Sequence, residues 1–169
     1  MSNRRFRRKA GPEMRFPHSL KQKGMKKILL ALAMIVGIGL SASARDNYSH
    51  DVNVLPAAAR TVLKANFKSD VSVIKIDKDF GRVSEYEVVL TDGSEVTFDR
   101  NGNWKDIESP RGGAVPAKMV PKGISYFVKT NQKNARIVGI ERDRGSYEVE
   151  LSNGVDMKFD KNGRFLKYD

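Results

Sequence analysis

Few groups of side chains in this 169-residue chain have the types and spacing for chemistry. Ser72-Val73-Ile74-Lys75 carries the Ser-x-x-Lys spacing of a nucleophile and its base, but that chemistry needs the serine to open a buried helix. The β-branched residues around Ser72 predict a strand instead. Ser125 and Lys129 stand four apart, yet a Ser-Lys dyad needs a desolvated lysine, and on an amphipathic helix these two read as solvated neighbours. Asp99-Arg100-Asn101-Gly102 and Asp160-Lys161-Asn162-Gly163 open like calcium loops. A complete loop adds further oxygen ligands and a bidentate Glu at its twelfth position. Trp104 and Phe165 stand where ligands would be wanted, and no such Glu follows. Both segments read as hairpin turns, with Asp accepting from backbone amides and Gly at positive φ.

Carboxylates form a third pattern. Glu87, Glu148 and Glu150 alternate with apolar residues. In a closed pocket such acids could do acid–base work; on a strand they mark the wet face of a sheet. The sequence has no cysteine and two histidines, His18 and His50. Thiol chemistry, disulfides and thiolate metal sites are excluded, and a Ser-His-Asp triad or multi-histidine site within the fold has no material. No catalytic residue, cofactor or metal is expected.

The net charge of +11 suggests a polyanion partner until it is located. Residues 1–44 hold ten basic residues and one acid, Glu13, whereas residues 45–169 hold 21 basic and 19 acidic residues. The folded part is balanced, which argues against nucleic-acid binding. Met25-Lys26-Lys27, the apolar run Ile28–Leu40 and Ser41-Ala42-Ser43-Ala44 have the order of a secretory signal peptide. The apolar run is shorter than the roughly 20 residues of a membrane span. Cleavage is expected after Ala44, giving a periplasmic or secreted protein that meets the membrane only through the uncleaved signal. Arg4-Arg5-Phe6-Arg7-Arg8-Lys9 lies too far upstream to serve as a twin-arginine signal. Residues 1–24 read as a disordered basic extension outside the native protein, and residues 25–44 as the signal peptide.

The elements that must position any site lie in residues 45–169, which read as one unit written twice. Tyr86–Trp104 and Tyr147–Phe165 align without gaps and share nine of 19 residues. The copies run over 52–108 and 117–169, joined by the loop-like segment Ser109-Pro110-Arg111-Gly112-Gly113-Ala114-Val115-Pro116. Each opens with a helix whose first turn holds Pro56 or Pro121. Leu55, Ala59, Val62, Leu63 and Phe67, and then Val120, Ile124, Phe127 and Val128, recur at helical spacing. Strands follow at 71–79 and 136–141, then at Tyr86-Val88-Leu90 and Tyr147-Val149-Leu151. Asp92-Gly93 and Asn153-Gly154 predict hairpins. Val96 and Phe98, or Met157 and Phe159, continue the apolar face. Final strands span 104–108 and 165–168. The fold class is α+β: two tandem α-β-β-β-β repeats forming one antiparallel curved sheet, with helices on one face and water on the other.

Leu-Pro before a short helix ending in Asn-Phe (Leu55–Phe67), then Tyr-Glu-Val-x-Leu-x-Asx-Gly and Phe-Asp-x-Asn-Gly-x-aromatic, resembles the periplasmic PepSY-like family. The resemblance covers residues 52–169. Gln132 replaces the aromatic of Phe67 in the second copy, and its first hairpin is three residues shorter. The resemblance implies the fold of the beta-lactamase inhibitory protein, in which the concave sheet face grips an enzyme. Fold alone does not carry that function over.

Trp104 and Phe165 admit two placements. Strict alternation along each final strand puts both rings on the open face, where exposed aromatics anchor partners. A bulge after Gly102 and Gly163 would turn both into the core. The expected function is an exported, non-catalytic module that binds a protein or peptide of the cell envelope on the open sheet face, inhibiting or scaffolding an enzyme there. The candidate surface is Glu87, Val89, Glu95, Thr97 and Trp104, with Glu148, Glu150, Asp156, Lys158 and Phe165. The alternative is a small-ligand carrier or an enzyme using sheet carboxylates, which would need an enclosed acidic pocket.

Overall fold

A computed structural model describes residues 47–169. The expected extension and signal peptide, with the cleavage site after Ala44, lie outside the described residues. Nine strands follow one another in a single antiparallel sheet whose spatial order is the chain order. They are β1 (Asn47–Ser49), β2 (Val71–Asp79), β3 (Arg82–Leu90), β4 (Glu95–Asp99), β5 (Trp104–Glu108), β6 (Ile137–Asp143), β7 (Ser146–Leu151), β8 (Asp156–Asp160) and β9 (Phe165–Tyr168). Helix α1 (Ala57–Asn66) precedes β2, and helix α2 (Lys122–Asn131) precedes β6. Among the described residues, no helix is long and apolar enough to cross a membrane.

The period-2 pattern places one apolar face inward. Ile74, Val88, Leu90, Val96, Phe98, Ile107, Ile140, Val149, Leu151, Met157 and Phe159 are buried in one cluster with Ala59 and Leu63 of α1 and Ile124 and Val128 of α2. Both helices therefore cover the same face. Each helix is ten residues long, marginal in isolation, so tertiary burial holds it. Pro56 and Pro121 stand at the N-caps, one residue earlier than expected. α1 rests on the β4–β5 turn: a Cβ on Gly102, at φ +84°, would lie 2.8 Å from the Ala59 amide.

One element escaped the sequence, and the final strands take the bulged of the two courses it admits. β1 pairs with β2 through Asn47↔Ile76, Tyr48↔Lys75 and Ser49↔Ile74, although three polar residues carry no strand signal. The final strands do not alternate strictly. Val96 faces Ile107 and Thr97 faces Asp106, but Phe98 faces Trp104, leaving Lys105 as the extra residue of a bulge. Met157↔Tyr168, Lys158↔Lys167 and Phe159↔Phe165 repeat this, with Leu166 the extra residue. The bulges turn Trp104 and Phe165 to the helix side. Of the two placements admitted by the sequence, the bulged one holds, which takes Trp104 and Phe165 out of the candidate open-face surface. Phe165 stacks on Phe127 of α2 at 4.4 Å and meets Phe159 edge-on at 5.8 Å. Trp104 packs 6.5 Å from Tyr147, under the Arg142 guanidinium at 4.5 Å.

Candidate functional site

The face opposite the helices carries two rows of side chains running across the strands. One row passes through Val73, Val89, Glu95, Glu108, Gly139, Glu150 and Asp156. Its neighbour passes through Lys75, Glu87, Thr97, Asp106, Glu141, Glu148 and Lys158. Eight of the ten candidate residues fall in these rows: Glu87, Val89, Glu95, Thr97, Glu148, Glu150, Asp156 and Lys158. Trp104 and Phe165 do not.

The residues that sequence reasoning missed occupy the middle. Asp106 and Glu108 flank buried Ile107, so alternation alone marks them as outward. The β5–β6 pairing then sets Asp106 against Glu141, and Glu108 against Gly139. This seam joins acids of the chain's two halves. Gly139 leaves a notch: a Cβ there would meet the Glu150 side chain at 3.4 Å and Glu108 Cγ at 3.9 Å.

Charge is distributed unevenly over the face. At its flanks Asp77, Glu85, Glu87 and Glu148 have partners, whereas Asp156 has none among the described residues. Lys75 Nζ lies 3.1 Å from Asp77 and 3.3 Å from Glu87. Lys158 pairs with Glu148, and Lys105 with Glu85. At the centre, no lysine or arginine among the described residues pairs with Glu95, Asp106, Glu108 or Glu150. Burial, reinforced by Glu141, pushes the Asp106 carboxyl up to about 7. Burial, with Asp106, Glu95 and Glu150 close by, pushes Glu108 up to about 7 as well. Burial also raises Glu95, helped by Glu87, and Glu150, helped by Asp156. The centre is thus a block of crowded, half-buried carboxylates, of which Asp106 and Glu108 lose charge near pH 7.

The other chemical motifs resolve into structure. Lys75 is held charged in ion pairs, and burial of its head is outweighed by Asp77 and Glu87, so its pKa is raised. It is no general base for Ser72. Asp99 Oδ1 accepts from the amides of Asn101 and Asn103 at 2.9 Å each, and Oδ2 accepts from the Asn103 side chain at 3.0 Å. Asp160 makes the matching bonds to the Asn162 and Arg164 amides at 2.8 and 2.9 Å. Both carboxylates organise their own turns. Among the described residues, no three acids or histidines are arranged to hold a metal ion.

Comparison places this geometry among known proteins. The family model "Putative beta-lactamase-inhibitor-like, PepSY-like" matches residues 84–167. A "putative periplasmic protein of unknown function" from Bacteroides vulgatus is 39% identical, with 73% of this chain and 98% of that chain covered and a TM-score of 0.69. A "putative calcium-regulated periplasmic protein" from Bacteroides thetaiotaomicron is 35% identical, with 73% and 96% covered and a TM-score of 0.68. No curated protein is significantly similar to the chain. With over a third of residues identical across nearly the whole of these structures, the chain belongs to the PepSY-like, beta-lactamase-inhibitor-like family.

Proposed function

We propose that the chain is an exported, non-catalytic binding module that recognises a protein or peptide through the open face of its sheet. The observation that carries this reading is the acidic centre of that face: Glu95, Asp106, Glu108 and Glu150 stand half-buried and without a cation partner among the described residues, whereas Glu87, Glu148 and Glu85 are paired with lysines. A partner presenting lysines or arginines supplies the missing charge. Polar, charged surfaces of this kind suit a modest interface. Export agrees with the expected signal at residues 25–44 and with the periplasmic descriptions of the similar structures. The two α-β-β-β-β halves then act as tandem copies whose joint, the β5–β6 seam, forms the middle of the binding face. The alternative of a small-ligand carrier or carboxylate enzyme asks for enclosure. One groove among the described residues, at the hairpin end of the sheet, takes in none of the central acids.

The test is capture from envelope extract by the exported chain and by Glu95→Gln/Glu108→Gln/Glu150→Gln. This triple variant relieves repulsion and should fold at least as well. We expect a salt-sensitive partner held by the wild type and lost by the variant. An identical set of captured proteins from both would sink the open-face reading.

A further inference from the structure

We infer that the tip of the β2–β3 hairpin is a second docking element, with Phe80 entering an apolar cleft of a protein partner whose rim carries carboxylates. The inference rests on the binding-module reading but uses the end of the sheet, not its open face. Phe80 is fully exposed, at 107% of its reference area, and has φ +50°. Among the described residues, it is the non-glycine with positive φ. Asp79 pairs with Arg82, and Gly81 has φ +79°, so Phe80-Gly81 is a two-residue type I′ turn. Such turns favour Asn or Gly at the first position. A phenylalanine there is both strained and solvated, and asparagine would remove both defects. The β6–β7 hairpin closes through a loop of the same length, Arg144-Gly145, without positive φ. Folding therefore does not account for the ring, and a backbone outlier of this sort points to function.

The surroundings specify the partner. The last β3–β4 pair is Glu85↔Asp99, and β1 reaches only Ile76. The hairpin tip thus projects by about 10 Å, three residues at roughly 3.3 Å each. At its base lies an open groove of ≈ 1250 Å³, bounded by the β4–β5 and β6–β7 turns and by Trp104. Lys105 there is paired with Glu85, and Arg142 donates to the Trp104 carbonyl at 2.7 Å. Arg82, Arg100 and Arg144 are exposed and have no side-chain partner among the described residues. An exposed apolar ring sharing one groove with three unpaired guanidinium groups has the composition of an interface hot spot. Five cations against four acids line the groove, too even a balance for an anionic membrane surface, which draws on clusters of basic residues.

The experiment places the photo-crosslinker p-benzoylphenylalanine at Phe80, and separately at exposed Lys118 as a control, in the full chain exported by its native host. The expected result is a discrete protein adduct from position 80, absent from 118. Its cross-linked peptide should map to an apolar cleft beside Asp or Glu residues, and the adduct should vanish in an Arg82→Glu/Arg100→Glu/Arg144→Glu background. No protein adduct at 80, equal yield at 118, an adduct to lipid, or an adduct indifferent to the arginines would overturn the inference. Phe80→Asn should leave Tm unchanged or raise it by about 2–4 °C; a fall would show that the ring serves the fold. If the open-face triple variant captures the same proteins as the wild type while the position-80 adduct persists, the open-face reading fails and this one stands.

Discussion

Asp106→Asn should stabilise the protein at pH 8 and leave it nearly unchanged at pH 4. The carboxyl titrates at about 7 in the fold against an ordinary value of 3.8, first through burial and then through Glu141. Between those two values the folded chain holds a proton that the unfolded chain has released. Each step up in pH therefore favours unfolding until the folded carboxyl also ionises, near pH 7. At 1.36 kcal/mol per unit the full displacement would be roughly 4 kcal/mol. One side of Asp106 reaches water, which screens the charge and reduces the expected gain to about 1–2 kcal/mol. In Tm that is a rise of about 5 °C. Removing the charge also relieves Glu108, whose rise has Asp106 as its second cause. Urea unfolding followed through Trp104, the single tryptophan, measures the difference directly at each pH. Asp99 contributes oppositely: burial raises its pKa, but bonds from Asn103 and Asn101 hold it lower, so its stabilisation fades as pH falls through the acid range. That contribution is common to both proteins and cancels in the comparison. A gain independent of pH, or a loss at pH 8, would refute the electrostatic argument.

Phe165→Ala should cost about 3 kcal/mol by thermal or chemical unfolding, because the ring is stacked at 4.4 Å on Phe127; a cost under about 1 kcal/mol would return it to the surface. Gly102→Ala should cost about 2 kcal/mol or more, since the added Cβ would press at 2.8 Å on the Ala59 amide. Gly112→Ala, at similar φ but with nothing within 4 Å, should cost about 1 kcal/mol; equal costs would mean α1 does not rest on the turn. Arg142→Gln removes a guanidinium 4.5 Å from the Trp104 ring. It should cost about 1 kcal/mol and shift the tryptophan emission; an unchanged spectrum would contradict the contact.

Much of this architecture was legible because its signals are local. The alternation of Tyr86, Val88 and Leu90 selected the buried face. The breaks at Asp92-Gly93 and Asn101-Gly102 divided the strands, and Leu55-Pro56 and Val120-Pro121 marked the helix starts. The failures share a physical cause, which is that they depend on pairing rather than pattern. β1 is a strand because β2 offers it a partner, not because Asn47-Tyr48-Ser49 favours one. In β5, Trp104-Lys105-Asp106-Ile107 alternates acceptably in either phase. The bulge at Lys105 is decided by the apolar contacts of Trp104, which include Tyr147 from the other half of the chain. The acidic rows were half legible for the same reason. Glu87, Glu95, Glu148 and Glu150 could be placed on a wet face from alternation within their hairpins. That Asp106 and Glu108 complete the rows follows only from the β5–β6 seam, a pairing across the long connection between the two halves.

The contrast between flank and centre carries the last argument. Like charges directly opposite on neighbouring strands are destabilising by a few tenths to about 1 kcal/mol each. The sheet avoids this where Lys75 sits among Asp77 and Glu87 and where Lys158 meets Glu148, yet Asp106 faces Glu141 and Glu108 crowds Glu150 across Gly139. Such a centre binds cations best when it is ionised, and Asp106 and Glu108 ionise only near pH 7. A lysine-rich peptide should therefore bind more tightly at pH 8 than at pH 6, and near pH 7 its binding should release protons. Calorimetry in two buffers of different ionisation enthalpy reads both quantities. With two carboxylates moving from mostly protonated to mostly ionised, the affinity should rise by about tenfold. Equal affinity at the two pH values, or binding without proton release, would mean that the central acids do not contact the peptide.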